Sequence, residues 1–170
     1  MITTRIEIKP HLAEYAYGKF SMCQHEPVRF PSSLDIYHTI WDLLQKRPDN
    51  AGVDTGNLEI VLPVSKKTEE RDGVYKGKDP VTYNYLGDRA AKIIQRKLEV
   101  MMFAELHDLL DENKHKFGIE YIETVYGFMA KYMINSITED ALIKNYYRWR
   151  EVLRRKKLRR KYTKNVSEEA

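Results

Sequence analysis

Residues 144–164 hold eleven lysines and arginines against one acid, Glu151, and six of the eleven are arginine. Guanidinium groups fork onto phosphate through paired hydrogen bonds. On a helix, cations three or four residues apart stand roughly 5–6 Å from one another, a ladder that suits a phosphate backbone. Lys144, Arg148, Arg155 and Arg159 fall on one side at near-helical spacing, and Arg150, Arg154, Lys157 and Lys161 on an adjacent side. With Lys156 and Arg160 they form the candidate nucleic-acid-binding set. If about six of them meet phosphates, log K should fall against log salt with a slope of roughly −5.

This positive charge is local. Residues 1–143 carry 18 Lys/Arg against 22 Asp/Glu, and residues 165–170 add two acids, so the basic segment holds the whole excess behind a net charge of +4. Such a block usually marks a surface for a polyanion. Other uses of a basic helix are docking on an acidic partner, docking on the acidic first 143 residues, and complementing the helix dipole. Lying on an anionic membrane requires a broad exposed apolar face, which the seam described below would spend on packing.

Outside this segment, a few clusters have side chains of the types that do chemistry. His107, Asp111 and His115 stand at i, i+4 and i+8, two imidazoles and a carboxylate of the kind that binds zinc or iron. Two helical turns are too long a span for one ion, so a solvated helix face is expected instead. Cys23 and His25 put a thiol near an imidazole, but no third group orients them. The glycines form neither G-x-G-x-x-G nor a phosphate loop, so no cofactor is implied and no catalytic motif stands out. His11 and His38 read as structural or surface residues. Tyr83, Asn84 and Tyr85 could stack on bases, with core packing the commoner use of such a cluster.

Certain elements must position the basic segment. Leu142, Tyr146, Trp149 and Leu153 are spaced 4, 3, 4, a continuous apolar seam on a helix, with Ile143, Tyr147 and Val152 beside it. Past Leu153 only Leu158 interrupts the charge. The first three turns should therefore pack, with Tyr146 and Trp149 as anchors, and the rest should project. Ser136 with Glu139 matches a capping box, and Thr138 is the rival cap. The helix should run to about Lys161, followed by a polar tail.

Upstream, a helix is expected from about Ile119 to Met133 with Ile122, Val125, Tyr126 and Met129 inward. A longer one is expected from Tyr83 or Leu86 to about Lys114, striped by Leu86, Ala90, Ile94, Leu98, Met101, Met102, Leu106 and Leu109 and ended by Gly118. Ser32 should cap a helix whose apolar face is Ile36, Ile40, Leu43 and Leu44 with Tyr37 and Trp41, ended by Lys46, Arg47 and Pro48. Pro10 should open a helix over His11–Phe20, ending near Gly18, that buries Leu12, Tyr15 and Ala16 with Phe20 as a further candidate. The alternation of Ile2, Ile6 and Ile8 and the run Leu58–Leu62 predict two short strands, and residues 64–80 an exposed loop.

The pair of helices around Ile134–Ser136 has the layout of a helix-turn-helix with a three- to four-residue turn, although the second helix begins acidic, at Glu139 and Asp140. Ile119-Glu120-Tyr121-Ile122, then Leu142-Ile143-Lys144-Asn145-Tyr146-Tyr147-Arg148-Trp149-Arg150 and the basic run, make residues 118–161 resemble helical DNA-binding proteins of prophages and mobile elements. The resemblance covers about a quarter of the chain and implies a regulator, replication accessory or packaging factor.

The expectation is thus an α+β, predominantly helical fold: a helical bundle with a small N-terminal β element and a long basic C-terminal helix. It divides into an N-terminal part (1–80), a helical part (81–162) and a polar tail (163–170). DNA is the expected partner, with RNA and a homo-oligomer as further possibilities and no membrane partner. The rival function is self-assembly or protein binding through the basic helix. One cysteine, no secretory leader and no apolar run of membrane length fit a cytoplasmic protein.

Overall fold

The computed structural model describes residues 2–21, 26–63, 78–79 and 81–168, with side chains up to residue 159. Cys23, His25 and most of the 64–80 loop lie outside the described residues. Strand β1 (Thr3–Ile6) pairs antiparallel with β2 (Leu58–Val61), Thr3 opposite Val61 and Ile6 opposite Leu58. The even positions Thr4, Ile6 and Ile8 are buried, as the alternation requires. Asn57 extends the pairing with its side chain, accepting from Ile8 N at 3.1 Å and donating to Ile8 O at 2.7 Å. The free edge of β2 receives Val28, whose N–H donates to Glu59 O at 2.8 Å and whose carbonyl accepts from Val61 N at 2.9 Å.

The described residues also form five α-helices, which pack chiefly on one another: α1 (Pro10–Phe20), α2 (Asp35–Leu43), α3 (Asp88–Glu112), α4 (Tyr121–Tyr132) and α5 (Glu139–Glu168). Pro10 opens α1, which buries Leu12, Ala13, Tyr15 and Ala16. The helix ends at Phe20, as expected, with Gly18 inside its last turn. A Cβ there would lie 2.5 Å from the carbonyl oxygen of Tyr132, so its bare backbone lets α1 touch the end of α4.

Helix α2 departs from expectation at both ends. It begins at Asp35 without a side-chain cap, so Ser32 is not its cap, and the Asp35 carboxylate pairs with Lys97 of α3. It ends at Leu43, because Gln45 leaves to exchange two backbone hydrogen bonds with Tyr85, at 3.1 and 3.2 Å. The Lys78 ammonium donates to the carbonyls of Trp41, Asp42 and Leu44, each at 2.9 Å, a cation placed on the negative end of the helix. The same pairing holds Tyr85 extended, so α3 starts only at Asp88. Lys46 and Arg47 lie over the rings of Tyr83 and Tyr85, each 5.7 Å from the ring centre.

The expected stripe of α3 is the observed one: Ala90, Ile94, Leu98, Met102, Leu106 and Leu110 are buried, and Met101 and Leu109 pack at its margin. The helix widens into a π-turn, Asn113–Phe117, and stops at Gly118 in the left-handed region (φ 68°). Helix α4 is rotated from expectation. Thr124, Val125, Phe128 and Tyr132 face inward, while Ile122 and Tyr126 are exposed. Phe128 and Tyr132 win that face because both rings pack on buried Tyr15, and Asn113 satisfies the Thr124 hydroxyl at 3.1 Å.

One buried cluster runs from Ile6 to Tyr146 and takes members from both the 1–80 and the 81–162 parts. At its edge, Glu105 of α3 accepts from Tyr15 at 2.7 Å and from Tyr132, and pairs with Lys19 and with Lys131. Burial would raise this carboxyl, but the hydrogen bonds from Lys19, Tyr132 and Tyr15 outweigh it and hold it down at about 2. The hub ties α1, α3 and α4 together. No described helix is long and apolar enough to cross a membrane.

Candidate nucleic-acid interface

Helix α5 is capped by Thr138, whose hydroxyl accepts from Ala141 N at 3.3 Å. Ser136, the other candidate, donates its hydroxyl to Glu14 of α1 at 2.8 Å, and the same carboxylate oxygen accepts the N–H groups of Asn135 and Ser136. Six residues separate α4 from α5, including Met133 at φ 53° and buried Ile134. That is longer than the three- to four-residue turn of the helix-turn-helix expectation, because Ile134 is tucked into the core and Glu14 gathers the turn.

The first three turns of α5 pack. Leu142 and Tyr146 are fully buried. Tyr146 donates to the Asp111 carboxylate, and burial followed by this bond pushes its phenol pKa far up. His107 sits among Phe103, Tyr146 and Trp149, with the Trp149 ring centre 4.5 Å away, and its Nε2 shares a 3.0 Å hydrogen bond with Asn145 Oδ1. Burial lowers its pKa against the opposing pull of Asn145, Asp111 and Asp108. The expected solvated face at His107 and Asp111 is therefore corrected: His107 is buried and Asp111 is bonded, because α5 lies across them. His115 is exposed on the π-turn. Among the described residues no group of three or more His, Cys, Asp or Glu is placed to hold a metal ion.

The packing then stops. Leu153 is 37% exposed and Leu158 57%. The α5 backbone remains helical to Glu168, beyond the Lys161 expected. Lys144 pairs with Asp140 at 2.6 Å, and Glu151 takes both Arg154 (3.1 Å) and Arg155 (3.0 Å). The Arg155 hydrogen bond, against a small cost of burial and helped by the Arg154 charge, holds the Glu151 carboxyl below its ordinary range. All three pairs are made within α5, and each cation keeps well over half of its side chain exposed. Surface pairs of this sort are worth about 0–1 kcal/mol, so a polyanion can replace them. Arg148, Lys156 and Lys157 are exposed and make no ion pair among the described residues, and Arg159 is exposed too. Arg150 donates to the Tyr121 hydroxyl at 3.0 Å and lies over the Tyr146 ring. Arg160 and Lys161 belong to α5, but their side chains lie outside those described.

Sequence reasoning placed the cations but not what stands beside them. An open groove of about 820 Å³ runs between α5 and the end of α3 with its π-turn. Arg150, Arg154 and Lys157 form one wall, His115 lies opposite, and Tyr147 and Trp149 provide aromatic surface. Tyr147 is 51% exposed, its ring edge-on to Tyr121 at 6.0 Å. Its one sequence signal was its position off the apolar seam and next to Arg148. The chain matches no family model, and neither a curated protein nor a solved structure is significantly similar to it.

Proposed function

We propose that this protein binds nucleic acid, DNA in the first place, through the cations of α5, and serves as an accessory or regulatory factor in the cytoplasm. The observation that carries the reading is the state of those cations. Past Leu153 the hydrophobic seam of α5 runs out, the described cations from Arg154 to Arg159 are exposed to water, and among the described residues Lys144, Arg154 and Arg155 make their ion pairs with acids of α5 itself. A segment that packs nowhere and costs charge repulsion along its length gains most when phosphates relieve that repulsion and release their counterions. Tyr146 and Trp149 have the role of anchors, fixing α5 to the bundle.

The test is a fluorescence-anisotropy salt series with duplex DNA, single-stranded DNA and RNA. We expect a log K against log salt slope of roughly −5, reduced to about −2 when Arg154, Arg155, Arg159 and Arg160 are changed to Ala. Equal low-salt binding by that variant overturns the reading. So does a protein that binds no nucleic acid but forms oligomers that dissolve in high salt on sizing chromatography.

A further inference from the structure

The groove beside α5 differs from a plain row of cations. Three cations at i, i+4 and i+7, Arg150, Arg154 and Lys157, line one side of it. The same groove is lined by half-exposed Tyr147 and partly exposed Trp149, which a phosphate ladder alone would not need. Arg150 is already held in place by Tyr121 and the Tyr146 ring. A duplex keeps its base faces stacked inside, so an aromatic side chain next to the phosphate track finds nothing to stack on. A single strand offers both a backbone for the cations and free base faces for the rings.

We infer that this groove takes single-stranded DNA, with bases laid against exposed Tyr147 beside the anchored Trp149 and phosphates along Arg150, Arg154 and Lys157; the inference rests on the proposed nucleic-acid role of α5. The choice of DNA over RNA is carried over from the proposed function, and the comparison of thymidylate with uridylate tests it, because the ribose 2′-hydroxyl is the group by which a protein selects RNA.

The experiment uses the full chain with fluorescein-labelled 20-nucleotide thymidylate, the matching uridylate, and a 20-base-pair duplex at one salt concentration. Thymidylate should bind more tightly than the duplex and quench tryptophan emission. Trp41 is buried, so the quenching reports Trp149. Changing Tyr147 to Ala should weaken thymidylate binding roughly tenfold and leave the duplex unaffected, while Tyr147→Phe keeps the ring and the affinity. Arg154→Ala with Lys157→Ala should weaken both. If Tyr147→Ala changes neither affinity, or the duplex binds as tightly as thymidylate, the groove assignment is overturned and the phosphate-binding role of α5 stands. If uridylate binds more tightly than thymidylate, the assignment to DNA is overturned. If none of the three binds at low salt, the proposed function itself falls.

Discussion

The hub around Glu105 and the outer half of α5 are both made of charged groups and tyrosine, yet they do opposite things. At the hub, one carboxylate accepts from two tyrosines and pairs with two lysines, and the four partners come from two helices packed on a third. Along outer α5, Arg154 and Arg155 share one acid, Glu151, and with Lys156 and Lys157 they face water. Charge that is surrounded by partners of opposite sign specifies a fold. Charge repeated in one sign beyond the end of a hydrophobic seam adds nothing to the fold and leaves a surface for something else.

That contrast can be broken most severely at the contact that brings α1 and α4 together. Gly18→Val must move the Tyr132 backbone, and we expect a loss of about 3 kcal/mol in urea unfolding. Glu105→Ala strands two tyrosine hydroxyls and two ammonium groups at a partly buried site, and should cost about 2 kcal/mol. The hub also predicts a pH dependence. Its carboxyl is held at about 2, below the ordinary carboxylate range, so its contribution is complete above about pH 4.5 and lost as pH falls toward 2. His107, depressed by burial, favours the folded state above about pH 6.5 and opposes it as pH falls below that. Stability measured from pH 8 to pH 3 should thus decline in two steps, and Glu105→Gln should shrink the lower one, leaving the share of other depressed carboxyls such as Glu59, and should not touch the upper one. Thr138→Ala should cost about 1 kcal/mol through the α5 cap. Smallest of all, the fourfold alanine change at Arg154, Arg155, Arg159 and Arg160 should alter stability by less than about 0.5 kcal/mol, as expected of residues outside the packed structure. A large loss there would erase the distinction between the two regions.

Periodicity made the main architecture legible. The stripe of α3, the alternation in β1 and the seam of α5 are each set by burial of one face, and burial of one face is what a single-chain pattern encodes. The misplacements share a cause, which is a partner distant in sequence. Ile122 and Tyr126 looked inward on α4 until Tyr15, more than a hundred residues earlier, drew Phe128 and Tyr132 to itself. Ser136 looked like a cap until Glu14 claimed its hydroxyl. The role of Gly18 was not legible either, because a close backbone approach to Tyr132 leaves no trace in local composition. At the candidate site the cations could be counted from the sequence, but their freedom could not, and the groove requires the end of α3 to lie alongside α5.

Because Glu14 and Gly18 hold the stretch from which α5 departs, the first twenty residues steer the far end of the chain. At 30 residues α5 is roughly 45 Å long, so a swing of about 10° at its root carries the tip roughly 8 Å. Substitutions that misdirect the arginines without altering any of them would therefore map to α1, at the opposite terminus of the sequence from the charges they disable.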